Sequence, residues 1–102
     1  MRLELEDRLV GFAASVYKLN GVIEKEYFGN YLINQLLRSS ASAALNYGEA
    51  QSAESRKDFI HKSSLVLKEL RESFVNLKIM QRTDLVCDDI LLKKMVEENN
   101  QL

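Results

Sequence analysis

Apolar residues recur along this chain at intervals of three and four, as they do in helices that bury one stripe. Leu5, Leu9, Phe12, Val16 and Leu19 form the first stripe and predict a helix over Leu3–Leu19. Asn20-Gly21 follows, and a glycine there predicts a left-handed C-cap. Ile33, Leu36, Ser40, Ala44 and Tyr47 mark a second helix over Lys25–Ala50. Within it Ser39 to Ala44 are all small, so another helix backbone can approach closely. Serines inside a helix lower its propensity, so packing has to hold this segment helical. Gln51–Glu54 is a polar connection, with Ser52 or Ser55 as the next N-cap. The third helix, Ser55–Gln81, has the most regular stripe: Phe59, Ser63, Val66, Leu67, Leu70, Phe74 and Leu77 are predicted to be buried together. Arg82–Cys87 reads as a turn. Asp88 or Asp89 then caps a short fourth helix from Ile90, with Leu91, Met95 and Leu102 on one side. Its end, Glu97 to Gln101, reads as poor packing material. Short connections set neighbouring helices antiparallel. The expected fold is therefore all-α: one domain over residues 1–102, an antiparallel up-down-up-down four-helix bundle.

Composition sharpens this picture. The chain has no proline, which permits long uninterrupted helices. At 102 residues it forms one small core, and association between copies would stabilise it. Tyr27, Phe28 and Tyr31 open the second helix without sharing one side, which also points to a homo-oligomer, because tyrosine is enriched at interfaces. Lys and Arg number 14 against 15 Asp and Glu, which argues against a protein that holds nucleic acid by bulk charge but does not exclude a local basic face. A single cysteine, Cys87, cannot form an internal disulfide. Three acids near the N-terminus do not suit a signal peptide, and no apolar run approaches the ~20 residues that span a bilayer. These features lead us to expect a cytoplasmic protein without membrane contact.

Two polar patterns are candidates for function. Gln35, Arg38, Ser42, Asn46 and Glu49 form a stripe beside the apolar stripe of the second helix. The third helix has its own polar edge of Asp58, Lys62, Glu69, Glu72 and Asn76. Antiparallel register sets Arg38 opposite Leu67–Leu70, with Glu69 as its first partner and Glu72 as its second, and brings Asn46 toward Asp58 or Phe59. Such a seam fixes helix register or a subunit contact; the functional alternative is a recognition groove. Opposite the predicted core stripe lie Lys57, His61, Ser64, Lys68, Arg71, Val75, Lys78 and Arg82, a rail with five permanent cations and no acid. It is ~37 Å long at the rise of an α-helix. The rail could track a phosphate backbone of RNA or DNA, or be a solvated face with Lys68–Glu72 as an i,i+4 pair. No aromatic residue interleaves it.

Catalytic chemistry has little footing. His61 is the only histidine and points away from the predicted core. Asp58-x-x-His61 is one copy of an acid-x-x-His pair of which di-iron bundles need two, projecting inward. Cys87 has no histidine nearby in sequence, and no glycine-rich phosphate loop occurs. A non-enzyme is expected, with no cofactor, metal or small-molecule substrate.

The stretch Gln35-Leu36-Leu37-Arg38-Ser39-Ser40-Ala41-Ser42, followed by Asn46-Tyr47-Gly48-Glu49-Ala50, resembles the signature of a bacterial four-helix-bundle family. That family was first noted for proteins encoded within intervening sequences of large-subunit ribosomal RNA genes. Lys57 to Lys62 and Leu67 to Glu72 resemble its third helix, and the likeness runs from Val16 to Met80. Ala44 stands where many members have proline, and the fourth helix is shorter than usual. The resemblance implies a bundle that assembles into a ring, in some relatives a pentamer. Relatives include the accessory protein of diversity-generating retroelements, which binds nucleic acid and a reverse transcriptase. The combined expectation is a non-catalytic, homo-oligomeric helical scaffold in contact with nucleic acid or a nucleic-acid enzyme. The rival expectation is a protein-interaction module without nucleic acid.

Overall fold

The computed structural model describes residues 2–102, with side chains from residue 4 onward. Four helices follow one another: α1 (Arg2–Leu19), α2 (Tyr27–Gln51), α3 (Arg56–Thr83) and α4 (Asp89–Gln101). Each packs on its neighbours in sequence, and α4 closes the ring against α1. Contacts step down α3 as they step up α2: Leu32 meets Asn76, Ser39 meets Ser73 and Glu49 meets Lys62. That order is antiparallel, as the short Ser52–Ser55 connection requires. Arg8 reaches from the start of α1 to Glu98 near the end of α4, so this pair is antiparallel too.

The ends are set by local chemistry. Ser55 caps α3, its hydroxyl accepting from the Asp58 amide at 3.0 Å, and Asp88 caps α4 by accepting from the Leu91 amide at 3.0 Å. Glu26 caps α2 by accepting from the Gly29 amide. Gly29 itself is required, because a Cβ there would collide with the Glu24 carbonyl oxygen. The expected left-handed glycine after α1 does not occur: no glycine among the described residues has positive φ. The helix ends in tight turns instead, with Gly21 and Val22 donating to Lys18 and Leu19 at 3.0 Å each. The left-handed C-cap belongs to Asp84, at φ 54° after α3. The two loops at this end are joined by one antiparallel bridge between Ile23 and Val86, both buried.

The core has two parts. Phe12, Val16, Leu19, Leu32, Ile33, Leu36, Leu77, Met80 and Met95 fill the looped end. Leu9, Ala43, Val66 and Leu70 form the second part, flanked by Leu5, Ala44, Tyr47 and Leu102.

The face of α3 that enters this core differs from the predicted one. Phe59 is 47% exposed and Leu67 67%, and Phe74 is only half-buried. The buried residues of α3 are Val66, Glu69, Leu70, Ser73, Asn76, Leu77 and Met80. At 100° per residue this face is turned by roughly 70° toward the polar edge. Two causes act together. The small residues Ser39, Ser40 and Ala43 of α2 are buried, and the Ser39 and Ser73 hydroxyls meet at 2.8 Å, which draws the Ser73 edge inward. In addition α4 has only 13 residues and meets α3 where Asn99 Nδ2 donates to the Leu70 carbonyl at 3.1 Å. Phe59, Ile60 and Leu67 lie on α3 before that point, with no fourth helix over them. Asn99 is itself buried, so the end of α4 packs better than its composition suggests.

Leu77→Ala should therefore lower stability by ~2–5 kcal/mol, as large-to-small core changes do. Leu67→Ala should stay within ~0.5 kcal/mol, as surface changes do. Urea unfolding of both variants checks this, and equal losses would restore the face that periodicity predicts.

Candidate nucleic-acid interface

The α2–α3 seam is built as its register requires. Arg38 sits between two acids, with Nη1 3.2 Å from Glu69 Oε1 and Nη2 2.6 Å from Glu72 Oε2. The Glu69 side chain is only 11% exposed, so its charge needs this partner. The hydrogen bond from Arg38 holds the Glu72 carboxyl below its ordinary pKa, against partial desolvation. Further along, Lys62 Nζ lies 2.8 Å from Glu49 Oε1. Asn46 does not reach toward Asp58 or Phe59; its amide turns back to the Ser42 carbonyl at 2.9 Å. Gln35 and Ser42 are half-buried on the same edge. The structure thus brings Arg38, Glu69 and Glu72 together, with Glu49 paired separately. Both cations of the seam are held by its acids, which suits a clasp between helices better than a site for an outside anion.

A second clasp joins α1 to α4. Arg8 donates from Nε and Nη2 to the two carboxylate oxygens of Glu98, at 3.0 and 2.8 Å. This bidentate bond also lowers the Glu98 pKa.

The basic rail is different. Lys57, His61, Ser64, Lys68, Arg71, Val75, Lys78 and Arg82 are all exposed. Lys68 lies 4.0 Å from Glu72, a loose i,i+4 contact, and Lys78 sits 5.9 Å from the Phe74 ring centroid. Lys57, Arg71 and Arg82 have no ion pair among the described residues. These cations are free to meet an anion from outside.

Periodicity missed what lies beside the rail. The turn of α3 leaves Leu67 and the outer part of Phe74 exposed beside the cations, where Ile60 is exposed as well; Phe59 is exposed nearer the start of the helix, on the side that buries Leu77 further along. Where α4 stops, an open groove of about 580 Å³ lies among Leu67, Lys68, Arg71, Phe74, Asn99 and Asn100. The signal available in the sequence was the 13-residue length of α4, too short to cover a 28-residue α3.

Other chemistry is sparse. Among the described residues no group of three or more His, Cys, Asp and Glu is placed to hold a metal ion. His61 is exposed, and its carbonyl accepts from the Ser64 hydroxyl at 2.7 Å. Cys87 is exposed in its turn, with Sγ 3.1 Å from the Val22 carbonyl oxygen. Among the described residues no helix is long and apolar enough to cross a membrane.

With this fold and these seam residues in hand, the comparison with known families is decisive. Residues 2–102 match the family described as 23S rRNA-intervening sequence protein. The chain belongs to that family. A crystal structure of a protein of unknown function from the S23 ribosomal protein family of Bacteroides thetaiotaomicron superposes with a TM-score of 0.83. The two share 28% identity over 94% of this chain and 88% of that one. No curated protein matches the sequence. Membership agrees with the resemblance read from Gln35 to Ala50, and it covers α1 and α4 as well.

In this member of the 23S rRNA-intervening sequence family the clasps should make stability depend on pH. Glu72 and Glu98 are depressed below the ordinary carboxylate value of 4.5. The folded chain therefore binds fewer protons near that pH than the unfolded one. Their contribution is complete above pH 4.5 and is lost as pH falls through the lower folded-state values. Arg38→Gln should flatten the Glu72 part of this acid limb. At neutral pH it should also cost ~1–3 kcal/mol, because Glu69 stays buried without its cation. Urea midpoints from pH 7 down to about pH 3 test both.

Proposed function

We propose that the chain is a non-catalytic, homo-oligomeric, cytoplasmic scaffold that contacts nucleic acid through the outward face of α3. The observation that carries this reading is that all five rail cations are exposed, on a stripe without an acid. The seam cations are neutralised by Glu69, Glu72 and Glu49, whereas the rail cations remain available. The net charge of −1 supplies no bulk attraction, so binding depends on the local field of the rail. That field acts within a Debye length of ~8 Å at physiological salt. The family's description, which names 23S rRNA intervening sequences, supports a ribonucleic-acid setting.

Self-association is assigned to α2. Tyr27 is 88% exposed and Tyr31 52%, and Tyr31 stacks on Phe28 with ring centroids 6.5 Å apart. Such an exposed aromatic patch marks a protein contact. A ring such as a pentamer would present one rail per subunit and add their contacts. The same patch favours the rival reading, a protein-interaction module.

The test is titration of a labelled RNA and a labelled duplex at two salt concentrations. Affinity should fall with salt by ~0.7 to 0.9 in log–log slope for each phosphate neutralised. Changing Lys68, Arg71 and Lys78 together to Gln should weaken binding at least tenfold at low salt and lower that slope. Equal binding by both proteins, or none by the wild type, would favour the interaction module. Light scattering should give a multiple of the 11.7 kDa chain at micromolar concentration; a monomer mass would remove the oligomer from the account.

A further inference from the structure

We propose that the groove between α3 and the end of α4 receives an unpaired base, so that this face prefers single-stranded nucleic acid to duplex. The proposal rests on the rail reading above and adds which form of nucleic acid the rail takes.

Two parallel stripes run along the outer side of α3. Ile60, Leu67 and Phe74 are seven residues apart, and so are Lys57, Ser64, Arg71 and Lys78. Seven residues are two turns, a step of ~10.5 Å. The cationic stripe therefore has an apolar stripe beside it with the same repeat. A strand lying along α3 can set phosphates on the cations and turn bases onto the apolar residues. A duplex cannot, because its bases are stacked and paired inside.

The groove is the best-formed point of this pairing. Leu67 and Phe74 supply apolar wall, Lys68 and Arg71 supply charge, and Asn99 and Asn100 close the far side. The groove is open to solvent, about 580 Å³ in volume, and combines three apolar residues, Leu67, Leu70 and Phe74, with Ser64, the two cations and the two asparagines. Asn100 is exposed at the rim, with an amide able both to donate and to accept. Asn99 is committed through Nδ2 to the Leu70 carbonyl, while its Oδ1 is buried with no hydrogen-bond partner among the described residues. The Lys78 ammonium lies over the Phe74 ring at 5.9 Å, so a base that takes its place on the ring keeps a cation at hand for its phosphate.

Exposed apolar residues more often meet another protein, and a second copy is the obvious alternative occupant. Charge argues against a contact of this ridge with its own copy. A two-fold contact across this ridge would use the same patch on both subunits. It would set rail against rail, cation facing cation. A polyanion is the complementary partner.

The experiment measures binding of a short single-stranded RNA and of the same sequence as a duplex, at one low salt concentration. Three proteins are compared: wild type, Leu67→Asn with Asn100→Ala, and the rail variant with Lys68, Arg71 and Lys78 changed to Gln. Leu67 and Asn100 are exposed, so the first variant should fold and keep the wild-type urea midpoint. We expect the wild type to bind the single strand at least tenfold tighter than the duplex. The groove variant should lose about fivefold or more on the single strand, because the base loses its apolar wall at Leu67 and the rim amide of Asn100, and nothing on the duplex. Equal wild-type affinity for both forms would overturn the proposal, as would an unchanged groove variant. A groove variant that changes oligomer mass instead of affinity would also overturn it, since the ridge would then be a subunit contact. If the rail variant weakens both forms while the groove variant weakens neither, the rail reading stands and this one falls.

Discussion

The hydroxyls of Ser39 and Ser73 touch at 2.8 Å in the middle of the α2–α3 pair, and only small residues allow it. Ser39, Ser40 and Ala43 give α2 a face with almost no bulk, and α3 settles onto it through Ser73, which is fully buried. Around that contact Arg38 grips Glu69 and Glu72, and the Asn76 amide donates to the Leu32 carbonyl at 2.9 Å. A close backbone approach gains dispersion contacts along the crossing, while the ion pairs and amide fix its register. The rotation of α3 follows from this crossing, and everything on its outer side follows from the rotation.

Turning α3 toward α2 withdraws the polar edge from solvent and leaves part of the apolar stripe outside. The acids that might have cancelled the rail cations are held instead by Arg38 and Lys62. Only Lys68 keeps a loose contact with Glu72. A chain of net charge −1 keeps in this way a stripe of exposed cations along α3. The short α4 has a further effect, since it does not extend over Phe59 and leaves Leu67 mostly exposed. Stability and candidate function thus draw on the same crossing: the contact that packs the bundle also sorts its charges.

Much of this was legible in the residues. Helix ends fall within two or three positions of the periodic pattern, and Ser55 and Asp88 cap as their type and place suggest. The Arg38–Glu69 pair followed from a four-residue connection and antiparallel register. The burial of Phe59 and Leu67 was misread for a physical reason. Counting large apolar residues finds the face with the greatest apolar area, but helices are drawn together where their backbones can come nearest. In α2 that is a run of serine and alanine, which adds little to such a count. Asn99 was misread likewise, because its burial depends on a mainchain carbonyl of α3 that no sequence pattern displays. At Gly21 the loop closes through tight turns and a bridge to Val86, so no left-handed residue is needed there.

The outward face of α3 as the contact surface for nucleic acid is the central claim. Mapping amide chemical shifts in the isotope-labelled protein, as a single-stranded oligonucleotide is added at low salt, tests it most directly. The account predicts changes along one side of α3, at Lys57, Ser64, Lys68, Arg71, Lys78 and Arg82, and at Asn99 and Asn100 on α4. Changes confined to the aromatic start of α2, around Tyr27 to Arg38, or no change at all, would contradict it.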